Sequence, residues 1–118
     1  MLLVEDEAFI AMDLEDQLID AGATVLGPVS TLAAARRAAA DERIDVAVLD
    51  IMLGREEVFP AADILLRRGI PFLFHSAHAE AERIHRAYPH APLISKPGGP
   101  DELLYWLQTL IEDADGDT

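Results

Sequence analysis

Five short apolar runs, spaced at similar intervals, are the feature that most limits how this chain can fold. The runs are LLV at 2–4, TVL at 24–26, DVAVL at 45–49, PFLF at 71–74 and PLI at 92–94. They are apolar almost throughout rather than alternating, which is typical of strands that are covered on both faces. Pro71 and Pro92 open their runs, where a strand tolerates the loss of an N–H donor. The pattern predicts a sheet with two buried faces.

Stretches with helical patterning lie between and after these runs, at 7–21, 31–41, 57–68, 79–88 and from 99–102 onward. The second stretch is rich in alanine and has Ser30 or Thr31 as its candidate N-cap. The last begins with Pro100 and two acids, which suit the first turn of a helix. Strand and helix alternate five times, so we predict an α/β fold with a parallel sheet. Right-handed crossovers then place helices on both faces.

The overall composition limits the function classes. The chain has 118 residues, enough for one small domain, which we assign to residues 1–112 with an acidic tail at 113–118. Its net charge of −13 argues against binding nucleic acid or an anionic membrane surface. No apolar run approaches the roughly 20 residues of a membrane helix, and no leader is recognisable. Without cysteine there is no disulfide or thiolate chemistry. These features predict a cytoplasmic domain.

Polar side chains follow four of the five predicted strands. Glu5 and Asp6 follow the first, Asp50 the third, Ser76 the fourth, and Lys96, the only lysine, the fifth. Parallel strands all end at one edge of the sheet, and ligands bind there, where the strand order reverses. In the common order 2-1-3-4-5 the reversal lies between strands 1 and 3. We therefore expect the five side chains to converge.

Three carboxylates in one crevice repel each other unless a positive charge offsets them. Mg²⁺ binds one or two carboxylates together with waters and phosphate oxygens, and a lysine ammonium supplies a compact charge on a flexible stem. This set of groups, without a glycine-rich phosphate loop, suits an incoming phosphoryl group. Asp50 is the predicted nucleophile, because it ends the central strand and can form an acyl phosphate.

The segments LLVEDE, VAVLD, FHSA and SKPGG resemble, in this order and spacing, the receiver domain of bacterial two-component response regulators. The resemblance spans roughly residues 2–111 and implies the flavodoxin-like receiver fold. It implies that Asp50 is the phosphoacceptor and that Glu5, Asp6 and Asp50 bind Mg²⁺ with the backbone carbonyl of Met52. It also implies that Ser76 is the switch hydroxyl and that Lys96 pairs with the phosphoryl group.

The chain departs from the family pattern at two positions. Leu93 stands where receivers commonly have the aromatic residue that rotates inward, and Gly98 replaces the frequent phenylalanine after the Lys-Pro pair. We therefore expect Ser76 to act directly on the following loop and on the helix at 79–88. Phe74-His75-Ser76 loosely matches a Phe-Ala-Thr-like motif of stand-alone alphaproteobacterial receivers, which implies a single-domain regulator without a DNA-binding output module.

The resemblance implies partners and leaves alternatives. The phosphodonor would be a sensor histidine kinase or a histidine phosphotransfer protein, and an unidentified downstream protein would receive the signal. A homodimer through helix 4, strand 5 and helix 5 stays open. The chain would catalyse its own phosphorylation and dephosphorylation without being a turnover enzyme. One alternative is a binding module that works without phosphorylation. A phosphohydrolase of the haloacid-dehalogenase type expects an acid where Met52 stands.

Overall fold

A five-stranded parallel sheet organises the protein, as seen in a computed structural model that describes residues 1–76, 81–95 and 100–116. The strands are β1 Leu2–Val4, β2 Leu26–Val29, β3 Ala47–Leu49, β4 Met52–Leu53, β5 Glu56–Glu57, β6 Phe72–Ser76 and β7 Leu93–Ser95. Strands β4 and β5 form a separate antiparallel hairpin. The sheet has the order β2-β1-β3-β6-β7, and every pairing in it is parallel. Counted along the chain without the hairpin, this is the predicted order 2-1-3-4-5.

Five helices lie within the described residues: α1 Ala8–Asp20, α2 Leu32–Asp41, α3 Phe59–Arg67, α4 Ala81–Ala87 and α5 Pro100–Gly116. Their bounds lie within a few residues of the predicted ones, except that α5 continues to Gly116, beyond the predicted boundary at 112. The side chain of Thr31 accepts a hydrogen bond from the Ala34 N–H at 3.2 Å, so the cap of α2 is Thr31. None of the described helices combines the length and the apolar character that crossing a bilayer requires.

The sheet separates two apolar clusters, because successive side chains of a strand point to opposite faces. On one face, Leu2 and Val4 of β1 pack with residues of α2, α3 and α4. On the other face, Leu3 packs with residues of α1 and α5, among them Leu14 and Leu103. Helices therefore cover both faces, which is why the strands are almost continuously apolar.

Strand β2 differs from the sequence prediction. The pattern predicts a strand at 24–26, whereas the observed strand begins at Leu26 and ends at Val29. Gly27 has φ 111°, and a Cβ there would lie 2.7 Å from the carbonyl oxygen of Leu3, so only glycine fits. Pro28 is tolerated because β2 lies at the edge of the sheet. A Gly-Pro pair thus reads as a turn in sequence although the strand passes through it.

Candidate acidic site at the carboxyl edge of the sheet

The register of β1 and β3 places two acidic residues next to each other. Val4 pairs with Leu49, and each is the last residue of its strand. Glu5 and Asp50 follow directly, and the Asp50 N–H donates to the carbonyl oxygen of Val4 at 2.9 Å. The order of the sheet reverses between these two strands, where open α/β sheets form their binding crevice.

Glu5, Asp6 and Asp50 form a compact cluster of carboxylates. Each offers an oxygen, and these oxygens all lie within 4.8 Å of one another. Glu5 and Asp50 are only 2% and 5% exposed, whereas Asp6 is exposed. Two buried carboxylates and one exposed carboxylate give a site that opens to solvent on one side. A ligand can therefore reach the buried acids past Asp6.

Two backbone N–H groups hold the carboxylates of Glu5 and Asp6 in place. The Glu7 N–H donates to Oε1 of Glu5 at 3.2 Å, at the point where α1 begins. The Gly54 N–H, in the turn of the β4–β5 hairpin, donates to Oδ2 of Asp6 at 2.8 Å. Hydrogen bonds to ionised carboxylates are stronger than those between neutral groups, and they fix the direction in which the remaining oxygens point.

The donor set fits a hard divalent cation. Mg²⁺ prefers oxygen ligands at about 2.0–2.1 Å in octahedral geometry, so ligands on opposite sides of one ion are about 4 Å apart. Three carboxylate oxygens within 4.8 Å of one another are close to that spacing. The cluster also has more negative charge than a buried site holds easily, which a cation would offset. The predicted Mg²⁺ ligands Glu5, Asp6 and Asp50 are thus together.

The other predicted site residues are placed as follows. Ser76 ends β6, pairs with Ser95 of β7 and is 3% exposed, so it lies at the same edge of the sheet as Asp50. Met52 is the first residue of β4, two residues past Asp50, and its role as a carbonyl ligand stays a prediction. Lys96 lies outside the described residues, and its role also stays a prediction.

The sequence did not indicate how closely the hairpin is connected to the site and to α4. Besides the bond from Gly54 to Asp6, an ion pair joins Glu57 Oε2 to Arg83 Nη2 at 2.9 Å. The guanidinium of Arg83 also lies 5.3 Å from the centre of the Phe59 ring. Gly54 within LGREE was the one signal, because a glycine between short runs favours a turn.

The end of α4 is held by Tyr88. Its hydroxyl donates to Oδ1 of Asp63 on α3 at 2.6 Å, and its ring packs against Phe59, Phe72 and Phe74. Burial and the hydrogen bond to Asp63 raise the pKa of Tyr88 well above its ordinary value. The phenol therefore stays protonated and remains a donor to the carboxylate.

Comparison with solved structures identifies similar proteins. SdrG from Pseudomonas melonis Fr1, in its BeF3-activated conformation, is 36% identical, with 93% of each chain covered and a TM-score of 0.75. The signal receiver domain of a modulated diguanylate cyclase from Desulfovibrio desulfuricans G20 is 30% identical, with 99% of this chain and 96% of that chain covered and a TM-score of 0.85.

A response regulator receiver protein from Sinorhizobium medicae WSM419 is 27% identical over 96% of this chain and 94% of that chain, with a TM-score of 0.86. Comparison with family models and with curated proteins gave no match. The identity to the first two structures, over nearly the whole of both chains, accompanies the same sheet order and the acidic cluster at its carboxyl edge. This chain belongs to the response regulator receiver domains.

Proposed function

We propose that this receiver domain accepts a phosphoryl group on Asp50 and that the phosphorylated form binds its partner differently. The observation that carries this proposal is the convergence of Glu5, Asp6 and Asp50, whose oxygens lie within 4.8 Å of one another. An acidic cluster at the reversal point of the sheet has little value for stability, because like charges repel. The acidic cluster suits a reaction in which a divalent cation and a phosphoryl group bind at the same place.

In the proposed reaction, a carboxylate oxygen of Asp50 attacks the phosphorus atom of a phosphohistidine. The new O–P bond forms as the P–N bond breaks, and the histidine nitrogen leaves with the electron pair and takes a proton from solvent. Asp50 is almost fully buried at the end of β3, so its carboxylate is held in a narrow range of directions. Such positioning is the main contribution that a protein makes to phosphoryl transfer.

Glu5, Asp6, Asp50 and the carbonyl of Met52 would hold Mg²⁺. When bound, the ion would neutralise negative charge on the phosphoryl oxygens and on the carboxylates. Glu5 and Asp6 contribute through their oxygens, and the N–H groups of Glu7 and Gly54 orient them. Lys96 would pair with the phosphoryl group, as a mobile ammonium can.

The output would run through Ser76. Its hydroxyl would move toward a phosphoryl oxygen on Asp50 and take the following loop and α4 with it, since Leu93 offers no ring to rotate. The partners would be a sensor histidine kinase or histidine phosphotransfer protein and a downstream protein, all in the cytoplasm. We infer a single-domain regulator that turns over only its own aspartyl phosphate.

The test is phosphorylation of the purified chain by acetyl phosphate with Mg²⁺. We expect an adduct of ~80 Da that the Asp50→Asn variant does not form. Asp45→Asn is the matched control, because Asp45 lies at the opposite end of β3, next to the amino terminus of Met1, and should leave the adduct unchanged. A folded wild-type chain that forms no adduct would instead favour a binding module that works without phosphorylation.

A further inference from the structure

The β4–β5 hairpin contacts both the acidic site and α4. Its turn donates the Gly54 N–H to Asp6 at 2.8 Å. Its second strand carries Glu57, which pairs with Arg83 of α4 at 2.9 Å. Its base is closed by the Val58 N–H, which donates to the carbonyl oxygen of Ile51 at 2.8 Å, directly after Asp50. The hairpin thus contacts the acidic cluster through its turn, begins directly after Asp50 at its base, and contacts α4 through its second strand.

The hairpin is built to hold a fixed shape. Met52 pairs with Glu57 and Leu53 with Glu56, which leaves a turn of two residues. Gly54 occupies the first turn position with φ 65°, where glycine is favoured in short hairpins. The side chains of Val58 and Leu53 are 0% and 4% exposed, so the hairpin is attached to the hydrophobic core through these two residues. If Glu57 moves, we therefore expect Gly54 to move with it, because the hairpin shifts as one unit.

We propose that the hairpin and the Glu57–Arg83 ion pair position Asp6 for the cation, so that binding at the acidic site and the placement of α4 are coupled. This rests on the proposed cation site of Glu5, Asp6 and Asp50. Asp6 is the exposed member of that cluster, so the Gly54 N–H is the contact that fixes its direction. Arg83 holds the hairpin from α4 through Glu57, and it also lies over the Phe59 ring.

Coupling between two sites is reciprocal. If α4 holds Asp6 in place through the hairpin, then an ion that holds Asp6 in place also holds α4. The size of the coupling is limited by the interaction energy of the Glu57–Arg83 ion pair, which connects the hairpin to α4. The side chains of Arg83 and Glu57 are 52% and 43% exposed. Exposed pairs of this kind change an equilibrium by up to about 5-fold. Arg83 and Glu57 are therefore positioning residues with a modest, measurable effect.

The test compares Mg²⁺ affinity in four chains, measured by isothermal titration calorimetry and by the NMR shifts of the Gly54 amide. The chains are wild type, Arg83→Ala, Glu57→Gln and Arg86→Ala. The last is the matched control, because Arg86 pairs with Glu82 within α4 and away from the hairpin. We expect Arg83→Ala and Glu57→Gln each to weaken Mg²⁺ binding about 2- to 5-fold, and Arg86→Ala to leave it within about 1.5-fold.

The direction in which each variant changes Mg²⁺ affinity distinguishes positioning of Asp6 from a long-range electrostatic effect of the removed charge. Removing the positive Arg83 would strengthen Mg²⁺ binding if only charge mattered, while removing the negative Glu57 would weaken it. Weakening by both variants supports positioning. Opposite signs, or no change in either variant, would overturn the inference while leaving the proposed function intact.

A second measurement does not depend on affinity. The Tyr88 N–H, just after α4, donates to the carbonyl oxygen of Ile84 at 2.8 Å. Saturating Mg²⁺ should slow its hydrogen exchange about 2- to 5-fold in the wild type and not in Arg83→Ala. Equal slowing in both chains would contradict the coupling. Absence of any Mg²⁺ binding by the wild type would contradict the proposed function, and the inference with it.

Discussion

The two faces of the sheet are packed in different ways. The face covered by α2, α3 and α4 contains four aromatic rings, with contacting centroids 5.3–6.0 Å apart: Phe59, Phe72, Phe74 and Tyr88. The buried core of the face covered by α1 and α5 is aliphatic, consisting of Leu3, Leu14, Leu18, Val46, Val48, Leu73, Ile94, Leu103 and Leu107.

The difference bears on which helices can respond to the acidic site. Aromatic pairs prefer particular mutual angles, and most of the ring pairs here meet edge to face. Aliphatic side chains have no such preference, and the ring of Trp106, which packs at the margin of this cluster, has its described ring contact with Tyr105 on the same helix, so α1 and α5 meet the sheet with fewer directional constraints. Phe74 lies two residues before Ser76 on β6 and touches Tyr88 at the end of α4. We therefore expect the aromatic face to carry changes at the site, and the aliphatic face to anchor the domain.

The largest effects are expected from two neighbours on β6 that point to opposite faces. Leu73 and Phe74 are both fully buried. Phe74→Ala should cost about 3–5 kcal/mol and Leu73→Ala about 2–5 kcal/mol, because each leaves a cavity. Urea denaturation followed by circular dichroism measures both losses.

The milder pair Phe74→Leu and Leu73→Val tests whether the faces act separately. Hydrogen exchange should rise at the Tyr88 amide in Phe74→Leu and in α5, near Leu107, in Leu73→Val. If both variants loosened the same helix, the division between the two faces would be wrong.

A smaller effect is expected from the one side-chain hydrogen bond described within the aromatic cluster. Tyr88→Phe keeps the ring and removes the bond of 2.6 Å to Asp63. Asp63 is exposed and can be hydrated after the change, so we expect a loss of about 1–2 kcal/mol in the free energy of unfolding. Tyr105→Phe is the matched control on α5, because Tyr105 is 62% exposed, and its effect should stay within about 0.5 kcal/mol. Equal stability of the two variants would show that the phenol adds nothing to the aromatic face.

The acidic cluster could be predicted from the sequence because its causes are local. A run of apolar residues marks a strand, and the acid that follows it marks the strand end, so parallel pairing alone brings Glu5, Asp6 and Asp50 to one edge. The helices on both faces follow from the same alternation of strands and helices and were confirmed. The sheet order was also confirmed, but it was taken as the common order of five-stranded α/β sheets rather than from a local pattern. The role of Lys96 stays a prediction.

The contacts of the hairpin could not be predicted, because they join residues far apart in the chain. The Gly54 N–H meets Asp6 across 48 positions, and Arg83 meets Glu57 across 26. In the sequence alone, Gly54 indicates only a turn, and Arg83 and Glu57 indicate only solvated charges. Gly27 shows the same limit, since only the close approach of the Leu3 carbonyl explains a glycine inside β2. Tertiary contacts, rather than local pattern, decided these positions.

The smallest of the expected effects concerns α2, which lies on the aromatic face but carries none of its four rings. Thr31 accepts a hydrogen bond from the Ala34 N–H, so Thr31→Ala should cost about 1 kcal/mol by urea denaturation. Ser30→Ala, the other residue that the sequence offered as a cap, should change stability by less than about 0.5 kcal/mol. Because the hydrogen bond that is lost lies at the start of α2 and involves none of the rings, Tyr88 exchange should stay at the wild-type rate in both variants. Faster Tyr88 exchange in Thr31→Ala would mean that the whole face, rather than the rings, couples α4 to the sheet.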